Sequence, residues 1–491
     1  MTLANRIRQL GCETIVYGIS GIINRFIGIF LIPLYTRFFS PADYGVIAIV
    51  SAFTELSAIL IILGLDSASA RWFYDTNTTI QRQQVISSRF WFQLSLGTFV
   101  SLMICILAPH ICQFLLDSNQ YALVIRLAVL TIPLGTINGI LNSWIRYQRR
   151  AWMSAIYNTA SSLSNIAIII FFVAVCHWGL IGLYTARLIA AAAIALVAAV
   201  ILKTWISPRH VSKRLLKEML TFGIPLAPAG IATWVTMFSD RLILKMFVDT
   251  SEVGLYAISG ALASGVAIVT GAFQLSWGPF AYSILHEPGS SNVYSKVLSL
   301  YSWIVCFLSI AISIFAPHLL YLFTTPLYYK SASSVPYLAF SYMLLGSVYI
   351  ASLGSGISKK SISTASSIFI GAFINILLNF LLIPHQGRDG AAIATLLAYL
   401  CSAVYLFYAS QKNHYIPYRF KDPLFCFGFS WFLIGISHFF IPVWGRSAFC
   451  MRISICLIFV PLLFYLDIIK LRHTKFLFTL THQYFRKVSA Q

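Results

Sequence analysis

The chain has 491 residues, of which 59% are hydrophobic and only 10% charged, with a formal net charge of +20. A soluble domain carries about a quarter charged residues, so this composition excludes a soluble enzyme or binding module. The basic balance would suit nucleic acid only if the cations formed one polar face; they sit instead in short loops between apolar runs.

Crossing the hydrocarbon core takes a helix of roughly 20 mainly apolar residues, and about 14 such stretches follow one another. They run near 14–36, 44–65, 90–109, 120–142, 154–176, 179–202, 219–246, 254–282, 297–323, 333–355, 362–384, 390–409, 423–444 and 449–470. Backbone groups find no water in lipid, so runs of this length predict helices. The first run is too long for a cleaved signal peptide and lacks a small-x-small exit, so it is expected to stay as segment 1.

Placing the N-terminus in the cytoplasm puts most cations on one side, among them Arg71, Arg82, Arg146, Arg149, Arg150, Lys203, Arg209, Lys213, Lys359, Lys360, Lys412 and Arg419. Only Arg37, Lys330, Arg388, Arg446 and Arg452 fall on the other. This positive-inside bias predicts a multi-pass membrane protein with both termini cytoplasmic, and no nucleic-acid partner. Nine Cys are scattered, mostly in apolar runs, without metal-ligand spacing. No P-loop, H-E-x-x-H or G-x-S-x-G occurs, and no loop is long enough for an enzyme module. The expectation is a non-enzyme without cofactor or metal.

The chain repeats at an offset near 210. Phe38–Ile49 (FFSPADYGVIAI) aligns with Phe247–Ile258 (FVDTSEVGLYAI), bringing Asp43 onto Glu252 and Gly45 onto Gly254. Further along, Asn165 aligns with Asn375 and Gly179 with Gly390. Six helices per repeat is an even number, so the repeats enter from the same side, as parallel repeats about an axis normal to the membrane. The expected division is a six-helix lobe over 1–203, a second over 204–411, an extra helix pair over 412–471 and a basic tail over 472–491.

Three stretches carry a family resemblance: Pro41–Gly45 (PADYG), Asp240–Lys245 (DRLILK) followed by Glu252–Ala257 (EVGLYA), and Gln274–Tyr282 (QLSWGPFAY). In them the chain resembles the Wzx-type bacterial polysaccharide flippases of the multidrug/oligosaccharidyl-lipid/polysaccharide exporter superfamily, over roughly residues 10–410. The resemblance implies an all-α bundle of two six-helix lobes in a V, a central cationic cavity, and export of an undecaprenyl-diphosphate-linked oligosaccharide. The cargo would be an O-antigen or capsule repeat unit, and the partners would be membrane lipids, with a polysaccharide polymerase and a chain-length regulator as further candidates.

A charge at mid-membrane costs roughly 2.5–3.5 kcal/mol on insertion scales, so each one kept there marks a partner, a wet cavity or a headgroup. Arg25, Arg187 and Arg241 are the deep cations; Arg126 and Lys245 lie nearer helix ends, where a long side chain can snorkel. Together they are the candidate cationic cavity, since an Arg fork matches phosphate oxygens. Glu55 is either an ion-pair partner of Arg25 or a proton-coupling carboxylate. Asn165, Asn375 and Gln274 are candidate cavity-lining groups, with helix–helix hydrogen bonding as the alternative for the two asparagines. Two other readings stay open: a cation-coupled multidrug exporter, which should hold an acidic cavity, and a membrane glycan polymerase, which should carry a large outer loop.

Overall fold

The computed structural model describes residues 31–461, apart from Trp444, together with Gly21. Among them the chain is helical throughout, and eleven helices are long and apolar enough to cross a membrane. Numbered to match the segments, α1 is seen over 31–38. There follow α2 (Pro41–Asp75), α3 (Thr79–Leu116), α4 (Ala122–Tyr147), α5 (Ala151–Val175), α6 (Gly179–Ile201), α7 (Lys213–Phe247), α8 (Thr250–Ser283), α9 (Ser290–Phe323) and α10 (Pro326–Ile357). A single run, Ile362–Asn413, holds two arms, α11 and α12, that meet at Gly387, whose φ of 54° and ψ of −132° are not helical. Its left-handed φ is one that glycine adopts without strain. Last come α13 (Lys421–Phe440) and α14 (Arg446–Ile458). The predicted segments 11 and 12 are therefore two helices folded back on each other about this turn, with Ser402 donating to the Ser367 carbonyl at 2.9 Å and Asn413 to the Ser363 hydroxyl at 3.0 Å.

Local chemistry sets the ends. Ser40 caps α2: its hydroxyl accepts from the Asp43 amide at 3.2 Å, while the Asp43 carboxylate accepts from the Ser40 amide at 3.0 Å, and Pro41 opens the first turn. Thr78 and Gln81 repeat the device on α3. Leu63 and Gly64 turn left-handed, with φ of 47° and 68°, and break α2 into a long arm and the short arm Leu65–Asp75. A short stretch of π-helix, Val235–Ser239, interrupts α7 just before Asp240. Such bulges sit often at functional sites.

The loops with Arg71, Arg82, Arg149, Arg150, Lys203 and Lys359 share one end of the bundle, here the basic end; the loops with Pro41, Asp249 and Pro326 share the opposite end. At the basic end the amphipathic start of α7, Lys213–Gly223, buries Met219 beside Phe73, Ile86 and Trp144 and leaves Lys213, Arg214 and Lys217 exposed. The second repeat thus begins docked on the first. α9, α10 and α13 pack together, with α14 against α9.

Candidate functional site

The repeat-related starts of α2 and α8 cross at the opposite end, and they do so backbone to backbone. A Cβ on Gly45 would stand 1.9 Å from the Thr250 carbonyl oxygen, and a Cβ on Gly254 would stand 1.9 Å from the Pro41 carbonyl oxygen. Around this contact the Thr36 hydroxyl donates to the Phe323 carbonyl at 3.2 Å, and the Tyr328 hydroxyl donates to the Phe39 carbonyl at 2.8 Å. Lys245 on α7 pairs with Asp117 at the end of α3 at 2.6 Å. Together these contacts join the two repeats at this end.

Beneath the contact stands a ring of tyrosines. Tyr44, next to Gly45, meets Tyr35 and Tyr328 edge to face, each at 6.2 Å between centroids. Its hydroxyl is within coulombic reach of both Arg187 and Arg241. Arg187 lies over the Tyr184 ring at 5.2 Å and beside the Tyr35 hydroxyl. Arg241 lies over Phe238 at 5.2 Å and Tyr256 at 6.0 Å. Each repeat therefore holds one membrane-embedded arginine packed on aromatic rings.

Arg241 is also tied to its neighbour: its Nη1 meets Asp240 Oδ1 at 3.3 Å and donates to the Met237 carbonyl at 2.7 Å. Adjacent helical residues ordinarily point apart, but here the π-helical turn precedes Asp240 and the long Arg side chain folds back along it. Asp240 is buried at 3% exposure and also accepts from the Tyr256 hydroxyl. A second buried set adjoins it. Ser239 and Asn379 both donate to Asn375 Oδ1, at 3.3 and 3.0 Å, while Asn375 donates to Thr395 at 3.4 Å. These bonds join α7, α11 and α12, so Asn375 is a helix–helix linker. Its repeat counterpart Asn165 is half-buried on α5.

In the first repeat a cavity of about 600 Å³ opens between α2, α3, α4 and α5 and reaches Asp66 and Arg146 near the basic end. Its polar walls include Thr54, Glu55, Gln93, Asn142, Ser143 and Asn158. Arg89, 3% exposed, is satisfied by Asp66, by Ser69 at 2.9 Å and by Gln93 at 3.0 Å. Arg146 touches the Ser143 hydroxyl at 3.4 Å and has no carboxylate partner among the described residues. Glu55 is exposed on the wall and likewise forms no ion pair among them.

The predicted residues thus fall into separate places. Arg187 and Arg241 each lie over aromatic rings of their own repeat; Glu55 lines the first-repeat cavity; Lys245 holds the opposite end. Arg126 is exposed on α4, its Nε donating to the Cys105 carbonyl at 3.1 Å, and Gln274 is exposed on α8. Arg25 falls outside the described residues, so its pairing with Glu55 does too. Arg146, Asn142 and Asn158 were missed from sequence. Arg146 sits in the last turn of α4, where positive-inside counting absorbs it as a loop charge. Its spacing of four from Asn142 puts both on one helix face, a signal that was available.

The fold has known relatives. The structure superposes on the lipid II flippase MurJ in an inward closed conformation with a TM-score of 0.74 at 15% identity, covering 93% of this chain and 100% of that one. It superposes on an inward-facing multidrug resistance MATE family transporter of the MOP superfamily with a TM-score of 0.66 at 16% identity, covering 80% and 94%. By sequence it is 24% identical over 452 residues to an uncharacterized membrane protein of Methanocaldococcus jannaschii, covering 84% of each chain. It is 23% identical over 234 residues to the succinoglycan biosynthesis transport protein ExoT of Rhizobium meliloti, covering 48% of this chain and 45% of that one. The fold neighbours are transporters and flippases, not enzymes. Residues 34–333 match the family described as polysaccharide biosynthesis protein, and this multi-pass membrane chain belongs to that family.

Proposed function

We propose that the chain moves an undecaprenyl-diphosphate-linked oligosaccharide from the cytoplasmic to the periplasmic leaflet of a bacterial inner membrane, as a step in assembling O-antigen or capsule. The observation that carries this reading is a pair of membrane-embedded arginines, one in each repeat and each laid over aromatic rings, Arg187 over Tyr184 and Arg241 over Phe238 and Tyr256. A diphosphate presents acceptor oxygens that two guanidinium forks can share. The amides and hydroxyls of the first-repeat cavity offer the donor–acceptor mix that sugar hydroxyls require, and Arg146 adds a cation at its mouth. The names of the relatives support a glycan or lipid cargo: one is a succinoglycan transport protein, another a lipid II flippase.

The basic end faces the cytoplasm in this reading, since the cations gather there. The headgroup enters at that end while its polyprenyl tail stays in lipid. Parting of the α2–α8 contact opens the other side, and the two repeats rock as parallel halves. A polymerase and a chain-length regulator would receive the product.

The test is a deletion strain of the source organism, read for surface glycan and for lipid-linked intermediates. Loss of long glycan with single repeat units held on the cytoplasmic leaflet is the expected result. Unchanged glycan with altered drug sensitivity would overturn the proposal in favour of a multidrug exporter. Repeat units that cross but stay unpolymerised would overturn it in favour of a polymerase.

A further inference from the structure

A second cavity, of about 810 Å³, lies between α9, α10, α13 and α14 towards the opposite end. It is separate from the residues assigned to cargo. Arg452 of α14 lines it at 4% exposure. The guanidinium donates to the Ile314 carbonyl and, at 3.4 Å, to the Pro442 carbonyl, yet its Nε–H has no partner. No carboxylate pairs with it among the described residues. Trp431 lines the same cavity, and its buried Nε1–H is also without a partner.

An unpaired cation inside a lipid-embedded bundle is costly, and buried donors are ordinarily satisfied. Two orphan donors on one cavity therefore call for an acceptor-rich anion. Lys330 and His438, both exposed, add donors at the rim. Asp389, the cavity's carboxylate, already accepts from Ser333 at 2.8 Å and from Ser334. Apart from Ser313 and Ser437, the rest of the wall is mostly apolar or aromatic, with Ile314, Pro317, Ile434 and Phe439. A polar head and a greasy floor in one cavity fit an amphiphile.

We propose that this cavity binds an anionic phospholipid of the surrounding leaflet, its phosphate held by Arg452 and Trp431 and an acyl chain laid along Ile314, Pro317 and Ile434. Basic pockets between membrane helices bind anionic headgroups by the same chemistry. Bound there, the lipid would mortar α13 and α14 to the second repeat.

The experiment is native mass spectrometry of the purified full chain, titrated with phosphatidylglycerol or phosphatidylethanolamine of matched chains. The wild type should retain phosphatidylglycerol preferentially. Arg452→Gln should weaken that retention about tenfold, the value of one charge-assisted contact. Trp431→Phe removes one donor while keeping an aromatic ring on the cavity wall and should weaken it less, so the test survives if Arg452→Gln does not fold. Equal retention of both lipids, or wild-type preference in both variants, would overturn the proposal. So would displacement of the lipid by inorganic phosphate at equal concentration, or stronger retention of undecaprenyl diphosphate, which would make the site a cargo site. Lipid retention is read without transport, so the result stands apart from the flippase reading.

Discussion

Gly45 and Gly254 are equivalent residues of the two repeats, and each lies against the backbone of the other's helix, at Thr250 and Pro41 respectively. In an unconstrained helix, replacing Gly by Ala is stabilising by about 1 kcal/mol. Here the added methyl would sit 1.9 Å from a carbonyl oxygen, so the sign reverses for this state only. Gly45→Ala and Gly254→Ala should leave the protein in the membrane but spread the opposite end. A cysteine placed at Tyr44 should then react with a membrane-impermeant maleimide added on that side. Unchanged protection in both variants would count against the contact as a seal.

Lys245 and Asp117 form a cross-repeat pair in which Asp117 is 74% exposed. An exposed pair contributes at most about 1 kcal/mol. Single charge reversal at either residue should lower export by no more than about fivefold. The double reversal, Lys245→Asp with Asp117→Lys, should restore it. A double-mutant cycle on export rate measures the coupling, and additive losses would show that the pair does not close the end.

The ion pair that Arg241 makes with Asp240 and its proposed role toward the diphosphate can be separated. Arg241→Gln strips the partner from buried Asp240 and should cost about 3 kcal/mol or more, seen as lost protein in the membrane. Adding Asp240→Asn removes the orphaned charge and should recover the protein level but not export. Arg187, which has no carboxylate partner among the described residues, should behave differently: Arg187→Gln should keep its protein level and lose export about tenfold or more. Normal export in both arginine variants would remove the diphosphate site.

Asn375 and Asn165 should part company although the repeat equates them. Asn375 is fully buried and links three helices, so Asn375→Leu strands the Asn379 amide, while Ser239 keeps its bond to the Val235 carbonyl at 2.7 Å, and should destabilise by about 1–3 kcal/mol. Asn165 is half-buried, and Asn165→Leu should change the melting temperature little. Thermal unfolding in detergent compares them directly.

Helix positions were legible because each apolar run is long and closed by chemistry that reads in one dimension. Ser40–Pro41–Asp43 is a cap written in four letters, and the observed α6 (Gly179–Ile201) lies within a residue of its predicted bounds. The repeat was legible too, and the crossing of Gly45 with Gly254 explains why glycine recurs there. The rest depends on which helix neighbours which. Arg146 reads as a loop charge until α2 and α5 supply the other walls of its cavity. The Asp240–Arg241 bond needs the π-helical turn at Val235–Ser239, which no periodicity announces. The gap beside Arg452 exists only because α13 and α14 are set against α9 and α10, helices remote in sequence.

The repeat partners α4 and α10 have drifted into unequal surroundings. In α10, 78% of the apolar stretch is buried in protein, against 33% in α4. The extra pair α13 and α14 covers the second repeat and has no counterpart on the first. Helices at matching positions of the two repeats therefore answer to different solvents. Swaps among aliphatic residues on α4 exchange one lipid contact for another, whereas the same swaps on α10 must refit a packed interior where even Gly346 lies against the Tyr301 ring. The first copy is free to wander in sequence, and the second is pinned.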